Sequence, residues 1–514
     1  MSADLYQVSP QMVSGLTPEE ATDFNDLLLV WQRKLARNAK KKRYYDAKNG
    51  LRDLGIAIPP PLRDVETVVG WPAKAVDALA VRSMFDGFTV GGGEADELSR
   101  VLRDNDFRLS YSQAVTSELI NSCAFATVSQ GQGDEPQVLV SFYSALNAAA
   151  KWDYRRKRIR CGFAITGLDW SPTYGTVATQ VNMYTDGWVI SCERRANGRW
   201  VTTRTPNPVG RPLMEPLRYR PSLDRPFGKS RVSRAVMSIT DSAVRTCLRA
   251  EVSSELYTAP QRYLLGADEG TFGTDEATKR AKKIESYLGT IFAVTPNENG
   301  DIPQYGQLAQ MSMQPHTDYM RSLAARLAGE TGIPISSLGV IHDNPASAEA
   351  MYAASEDLII EAEALNDTNG RSLENVAMMA LALMRGVPLS ALSDEERGVR
   401  ANFKNPMRPS IASQTDALMK QLAQFPWMGE SEEALRIVLP ELGYSESKTE
   451  QLIGAKRRYE ARQAVARIGA SNGNGQQGDG RGVQGPAVAG QGGGAGGAGA
   501  PDAAAAVGRP ADAR

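Results

Sequence analysis

The residues that most often carry acid–base or metal chemistry are scarce in this sequence. It contains two histidines, His316 and His342, and four cysteines that are scattered singly. Histidine is the commonest general acid–base and a frequent metal ligand, yet neither histidine lies near a cysteine. The pattern argues against zinc chemistry and against a Ser-His-Asp triad. We therefore predict no catalytic residue, no metal site and no cofactor, and a protein that is not an enzyme.

One stretch invites interpretation as a phosphate loop. Gly228-Lys229-Ser230 stands at the start of a predicted helix. A phosphate loop also needs a glycine five residues before its second glycine, and Leu223 occupies that position here. Pro226 removes a further amide donor. We expect this stretch to be the entry to a helix and not a nucleotide site.

Two other polar clusters are better explained as parts of helices and turns than as catalytic or metal sites. His342-Asp343-Asn344-Pro345 has the composition of a turn, followed by Ser347 as an N-cap. The acidic residues between Ser355 and Glu363 are interleaved with Leu358 and Ile359. That alternation predicts the solvated face of a helix rather than a set of metal carboxylates.

The most informative signal is a long helical pattern from Ser230 to Thr258. Apolar residues from Val232 to Ala250 form one stripe. Polar residues three or four positions apart line another side of the helix: Arg231, Arg234, Ser238, Asp241, Arg245 and Arg249. One interpretation is an ordinary solvated face. The other is a helix packed against copies of itself, with its polar side facing a nucleic-acid backbone.

The first helix of the chain ends in a concentrated positive charge. Thr17 and Glu20 form a capping box for a helix predicted from Thr17 to Lys48. Near its end lies the basic run Lys40–Arg43. Such a run complements the helix dipole as a solvated C-terminus, or it contacts a phosphate or a partner.

The period of the apolar residues changes along the chain and predicts an α+β fold that is mainly helical. Between Ala124 and Arg204, short alternating segments with turns at 185–187 and 196–198 predict antiparallel hairpins. Strands are also predicted at 263–265 and 291–294. Further helices are predicted from Trp71 to an end at Asp86-Gly87-Phe88, and at 95–102, 111–123, 276–288, 316–329, 347–384, 413–424, 431–439 and 446–468.

Composition excludes several classes of protein. The net charge is about −1, from 58 Lys and Arg against 59 Asp and Glu, so this is not a polybasic nucleic-acid binder. We find no apolar run long enough for a membrane span and no secretory signal. Single cysteines fit a reducing compartment. From Gly469 the sequence is rich in Gly and Ala, which predicts a disordered tail.

Four segments occur in a recognisable order. They are Lys40–Tyr45, Trp71–Ala80 followed by Asp86-Gly87-Phe88, Pro226–Val232 with Ala259–Tyr263, and Pro345–Ala350. Together they resemble the portal proteins of tailed bacteriophages, particularly the siphophage type, over roughly residues 15–468. The chain departs from the family's pattern at Gly70, where the family has Asn, and at Asp86, where it has Glu. Gly50 also lies further from the tyrosines than the pattern expects.

The resemblance implies a ring of subunits, a homododecamer, at one vertex of the capsid. Double-stranded DNA would pass through its channel during packaging and ejection. The implied partners are the terminase large subunit, a head-tail adaptor protein, and the major capsid and scaffolding proteins, with no membrane. The implied location is the virion, with host cytoplasm during assembly.

The resemblance also implies a division of the chain into regions. These are a wing (1–229), a first stem helix (230–258), a clip (259–313), a second stem helix (314–331), a tunnel loop (332–346), a long helix returning to the wing (347–408), a helical crown (409–468) and the tail (469–514). The tunnel-loop candidates are Ile335, Ser336, Ser337, Leu338, Val340 and His342. The candidates for the polar face of the DNA channel are Arg231, Arg234, Arg245 and Arg249.

Two alternatives stay open from the sequence. Another head-tail connector or a minor capsid protein would share the setting, although connectors are usually much shorter. A packaging nuclease or ATPase would need a phosphate loop or carboxylates at strand ends, and we find neither pattern.

Overall fold

A computed structural model describes the chain at residues 13–50, 66–91, 93–94, 96–171, 175–257, 262–265, 275, 302, 304–307, 312–339, 353–407, 418–421, 423–441 and 446–473. These residues form an α+β fold, as predicted. The chain divides into two compact units, Met1–Arg408 and Pro409–Arg514.

The first unit carries most of the secondary structure. Its helices are α1 (Pro18–Tyr45), α2 (Trp71–Ala80), α3 (Asp96–Asp104), α4 (Phe107–Asn121), α5 (Arg234–Tyr257), α6 (Gln314–Thr331), α7 (Glu356–Arg385) and α8 (Asp394–Arg397). Its strands are β1 (Val13–Ser14), β2 (Phe85–Val90), β3 (Gly93–Glu94), β4 (Cys123–Gln130), β5 (Val138–Ser144), β6 (Ala148–Asp153), β7 (Arg158–Ser171), β8 (Gly175–Tyr184), β9 (Trp188–Arg194), β10 (Trp200–Pro206), β11 (Met214–Arg218), β12 (Arg262–Leu265), β13 (Gln304–Gln307) and β14 (Arg400–Phe403).

The strands form four sheets among the described residues. The largest has six strands in the order β1-β10-β9-β8-β7-β6, antiparallel except for the short β1–β10 pair. Two sheets have three strands, β11-β4-β5 and β14-β2-β3, and β12 pairs with β13 alone. The turns predicted at 185–187 and 196–198 connect β8 to β9 and β9 to β10, so the hairpins are confirmed.

Three apolar clusters hold this unit together. α1 lays Phe24, Leu28 and Trp31 on the six-stranded sheet, with Phe163 and Trp200 beneath them. The largest cluster joins α2, α4 and α7 to the β11-β4-β5 sheet. The third lies between α5 and α6. Each of the helices α1, α4 and α7 therefore covers one face of a sheet.

Local signals explain where the first helices begin. The Thr17 hydroxyl accepts from the Glu20 amide, and the Glu20 carboxylate accepts from the Thr17 amide, which is the predicted capping box. Pro72 occupies the first turn of α2, where a missing amide hydrogen costs nothing. Both predicted helix starts are confirmed.

Three predicted boundaries are wrong. The helix predicted over 347–384 begins at Glu356, after a turn at Ala354 and Ser355. α2 ends at Ala80, and Asp86-Gly87-Phe88 lies in β2 because it pairs with β14, more than three hundred residues later. The helix predicted from Ser230 begins at Arg234, because the residues before it are bound to other elements. Such distant partners leave no mark on the local sequence pattern.

Some predicted elements lie outside the described residues. They include the helix at 276–288, the strand at 291–294 and residues 474–514 of the predicted tail. The first five residues of that tail, 469–473, are helical, so the prediction of disorder from Gly469 is wrong there. Within the described chain, no helix combines the length and apolarity needed to cross a membrane.

The second unit is mainly helical in its described residues, which include helical residues at 418–421 and 423–424 and three bounded helices. The bounded helices are α9 (Trp427–Glu430), α10 (Glu432–Glu441) and α11 (Glu446–Gly473). α10 packs against α11, and Val438 and Ile453 are buried. The Arg457 guanidinium also donates to the Glu432 carboxylate, with an Nε–Oε1 distance of 2.7 Å.

Candidate functional site

α5 and α6 form an antiparallel helical hairpin. Val236, Ile239 and Ala243 of α5 pack against Leu323 and Leu327 of α6. Further along, the Cys247 sulfur lies 4.0 Å from the Met320 sulfur, and Ser253 Oγ lies 3.3 Å from His316 Nε2. At the far end, β12 and β13 pair antiparallel. The predicted apolar stripe of the long helix is therefore the seam with α6.

Some side chains of the polar stripe of α5 are exposed, and others form hydrogen bonds with neighbouring residues. Arg234 and Arg249 are exposed, whereas Arg245 is half-buried and donates to Ser242 Oγ at 3.1 Å. Between these arginines, the Asp241 carboxylate accepts from the Tyr44 hydroxyl at 2.9 Å. Burial and this hydrogen bond raise the pKa of Tyr44 to about 12. The C-terminus of α1 therefore covers the middle of the stripe.

Arg231 does not belong to this stripe, and its assignment to an exposed channel face is wrong. It precedes α5, and its side chain is only 3% exposed. Nε donates to the Ala75 carbonyl at 2.5 Å, and Nη2 donates to the Thr331 carbonyl at 2.6 Å. Nη1 donates to the Tyr219 hydroxyl at 3.0 Å and also to the Glu361 carboxylate.

Arg231 thus joins elements that are distant in sequence. Ala75 lies in α2, Thr331 ends α6, and Glu361 lies in α7. Glu361 also accepts from the Tyr219 hydroxyl and pairs with Arg220 at 3.0 Å. We call Arg231, Glu361 and Tyr219 the anchor cluster. It fastens the root of the α5–α6 hairpin to the rest of the first unit.

The stretch Gly228-Lys229-Ser230 is the entry to this anchor. Gly228 has φ of +75°, and a Cβ there would collide with the Tyr219 carbonyl oxygen, so glycine is required. The Lys229 amide donates to the Tyr219 carbonyl at 2.8 Å, and Ser230 Oγ donates to the Ile120 carbonyl at 2.5 Å. Since chain carbonyls occupy these donors, the stretch is not a phosphate cradle. The stretch precedes α5, which begins at Arg234.

The first tunnel-loop candidates form a single tight turn. Ile335–Leu338 make a 3₁₀ turn directly after α6 and its cap at Gly332. Ser336 and Ser337 are exposed, while Leu338 packs against the α5–α6 seam. Val340 and His342 lie outside the described residues.

A buried polar network was missed by the sequence analysis. Glu118 in α4 is fully buried, and its Oε2 accepts from Asn369 Nδ2 of α7 at 2.8 Å. The Tyr111 hydroxyl lies 3.4 Å from the same nitrogen and 2.9 Å from Ser83 Oγ. Burial raises the pKa of Glu118 to about 8. Glu118 stands at helical spacing from Tyr111, Ala114 and Val115, on the apolar side of the predicted helix, and this position was the available signal.

The described residues contain no cluster of three or more His, Cys, Asp and Glu that could hold a metal ion. The four cysteines are unpaired, and Cys123, Cys161 and Cys192 are buried. The geometry is that of an anchored helical hairpin with cations along one side. One end of the hairpin is held to the rest of the first unit, and arginines are spread along one of its sides.

A known protein family and several known proteins are similar to this chain over most of its length. The family described as phage portal protein, SPP1 Gp6-like, matches residues 27–436, a span that includes α5, α6 and the anchor cluster. The portal protein of Mycobacterium phage L5 is 27% identical over 442 residues, covering 84% of this chain and 86% of the relative. That of Mycobacterium phage D29 is 27% identical over 441 residues, covering 83% and 85%.

Two solved structures with a partial likeness are necks of GTA particles. One is the neck of a native GTA particle computed with C12 symmetry, at 12% identity and a TM-score of 0.39, covering 81% of this chain and 93% of that one. The other is the neck of an empty GTA particle computed with C6 symmetry, at 12% identity and a TM-score of 0.41, covering 79% and 93%.

Proposed function

Because the chain belongs to the SPP1 Gp6-like family of phage portal proteins, we propose that twelve copies of it close into a ring at one capsid vertex. Double-stranded DNA passes through the central channel of this ring during packaging and ejection. The family match over residues 27–436 is the observation that carries the proposal. The ring belongs to the virion and assembles in the host cytoplasm.

The α5–α6 hairpin supplies the stem of the ring in this proposal. The apolar seam makes it a stiff unit, and the anchor cluster fixes one end of it to the body of the subunit. Arg234, Arg245 and Arg249 then face the channel or the neighbouring stem. The residues between the two helices form the clip, which docks the terminase large subunit first and a head-tail adaptor afterwards.

The charge of the chain suits a conduit. Strong phosphate contacts would hold DNA and stall its passage. The net charge of about −1 and the absence of Lys and Arg from Ile333–Gly339 keep such contacts few. Residues 332–346 act as the tunnel loop at the narrowest point, residues 1–229 and 347–408 as the wing, and residues 409–468 as the crown.

Electron microscopy of the purified chain, with its mass checked by light scattering, tests this function. We expect rings of about twelve subunits, the closed cyclic assembly that repeated heterologous contacts produce, with a hole that admits duplex DNA. A compact monomer that hydrolyses ATP or cuts DNA would contradict the proposal.

A further inference from the structure

The outer side of α1 carries positive charge and exposed aliphatic side chains. Leu29 is 49% exposed and Val30 is 37% exposed, although both lie on a helix whose other side is buried. One helical turn further on, Arg33, Arg37 and Lys40 are exposed on the same side. No described carboxylate forms an ion pair with these three cations. We call these five residues the basic face.

The outer side of α7 carries the opposite charge. Glu356, Ile360, Glu363 and Asp367 are spaced by four, three and four residues, so they share one side of the helix. All are exposed, and Ile360 is 57% exposed. In the described chain no cation pairs with the three carboxylates. We call these four residues the acidic face.

A cavity adjoins the acidic face. It has a volume of about 710 Å³ and lies between the end of α6 and the start of α7. Ile360 lines it together with the carboxylates of Glu330, Asp357 and Glu361. Arg220, its one lining cation among the described residues, pairs with Glu361 at 3.0 Å. The cavity extends the negative surface inward and gives a partner's side chains room to enter.

We propose that the basic face of one copy docks on the acidic face of the next copy, and this inference rests on the proposed ring. The two faces have opposite charge, and each combines that charge with exposed aliphatic carbon. Each spans twelve residues of helix, from Leu29 to Lys40 and from Glu356 to Asp367, and eleven rises of ~1.5 Å make each about 16 Å long. Because they lie on different helices, their contact is heterologous and repeats from copy to copy.

DNA is a less suitable occupant. Phosphates would explain the three cations of the basic face but would be repelled by the acidic face. The exposed Leu29, Val30 and Ile360 also have no role against a phosphate backbone, whereas burying them stabilises a protein interface. A second copy of the chain accounts for both faces at once.

Charge reversal and charge exchange test the contact. We would compare the full chain with R33E/R37E, with E363K/D367K, and with all four changes together. Each pair should lower the fraction of chain in rings by about tenfold, because like charges then meet across the interface. The combined variant should recover to within about twofold of the wild type, as expected when two sites interact directly. Light scattering measures the ring fraction.

The matched control is R100E/R103E, which reverses two exposed arginines of α3 outside both faces. Its ring fraction should equal that of the wild type. Circular dichroism checks that each variant is folded. If a reversed variant does not fold, the full chain with both R37C and E363C replaces it. Oxidation should then link copies through disulfides into a ladder of multimers, and neither R37C nor E363C alone should give this ladder.

The outcomes separate the inference from the proposed function. If the wild type forms rings and the reversed variants form them equally well, the inference is overturned and the portal function stands. The same holds if the wild type forms rings but the R37C/E363C chain gives no disulfide ladder. A wild-type chain that stays monomeric contradicts both. Loss of duplex-DNA binding in R33E/R37E, with normal rings in both reversed variants, makes the basic face a nucleic-acid surface and overturns the inference.

Discussion

At the scale of single residues, Arg231 shows how a charge can be kept away from water. Its donors reach the Ala75 and Thr331 carbonyls, the Tyr219 hydroxyl and the Glu361 carboxylate. A planar guanidinium can satisfy this many acceptors at once, which an ammonium cannot. Removing one partner of such a buried pair leaves the other charge without its counterpart.

Replacing Arg231 by Ala should lower the free energy of unfolding by about 3 kcal/mol, because a buried ion pair is broken. R231K should recover only part of this loss, since lysine lacks the forked geometry. Urea unfolding of the purified variants measures the effect. R234A, at an exposed site, serves as control and should stay within about 0.5 kcal/mol of the wild type. Equal stability of R231A and R234A would contradict the anchor.

Glu118 predicts a dependence of stability on pH. Burial raises its pKa to about 8, whereas a glutamate in an unfolded chain ionises near ~4.3. Between these values the folded chain binds the additional proton, so the free energy of unfolding falls as pH rises towards 8. Above about 8 the loss is complete.

E118Q should remove this dependence. At pH 5 the variant and wild type should have similar stability. At pH 8 the variant should be the more stable, on the order of 3 kcal/mol, since one pKa unit corresponds to about 1.4 kcal/mol. Urea unfolding at the two pH values measures this, with D104N at an exposed carboxylate as control. Parallel pH curves for E118Q and the wild type would show that Glu118 is not protonated in the fold.

At the scale of elements, local signals and distant partners explain what the sequence could predict. The start of α1 follows from Thr17 and Glu20, and the start of α2 from Trp71-Pro72, because caps act within one turn. The β2–β14 pairing and the burial of Arg231 depend on residues far along the chain. The apolar stripe of α5 was therefore predictable, whereas the start of the helix and the position of Arg231 were not.

The polar side of α5 separates a role in DNA passage from a role in assembly. We expect R245E/R249E to form rings of normal size but to package DNA poorly, because reversed charge in the channel repels phosphate. Ring size by light scattering and DNA packaged in vitro measure the two properties. E251Q, which removes one charge from an exposed position of the same helix, is the control. Monomeric R245E/R249E would instead place these arginines between subunits.

At the scale of the whole molecule, we expect the C-terminal segment, residues 474–514, to be dispensable for ring formation. The family match ends at residue 436, and α11 ends at Gly473. The remaining residues are dominated by Gly and Ala, which bury little apolar surface. The segment therefore has little with which to hold subunits together.

Deleting Asn474–Arg514 should leave ring size and thermal stability unchanged, as measured by light scattering and by the melting temperature. A longer deletion, from Glu446 to the end of the chain, removes α11 and its buried Ile453. This variant should aggregate because the apolar side of α10 is then exposed, and it serves as the positive control for the two measurements. A monomeric product of the shorter deletion would assign the segment a part in assembly.

The environment of the four cysteines makes the hairpin observable without mutagenesis. Cys123, Cys161 and Cys192 are buried, so Cys247 is the thiol most accessible to a maleimide. Burial also raises the pKa of the Cys247 thiol, and mildly alkaline buffer will favour the reactive thiolate. A dye or spin label there would sit in the α5–α6 seam beside Met320. In a symmetric assembly it would form a circle of identical probes, whose fluorescence or spin–spin distances report stem movement while DNA is being threaded.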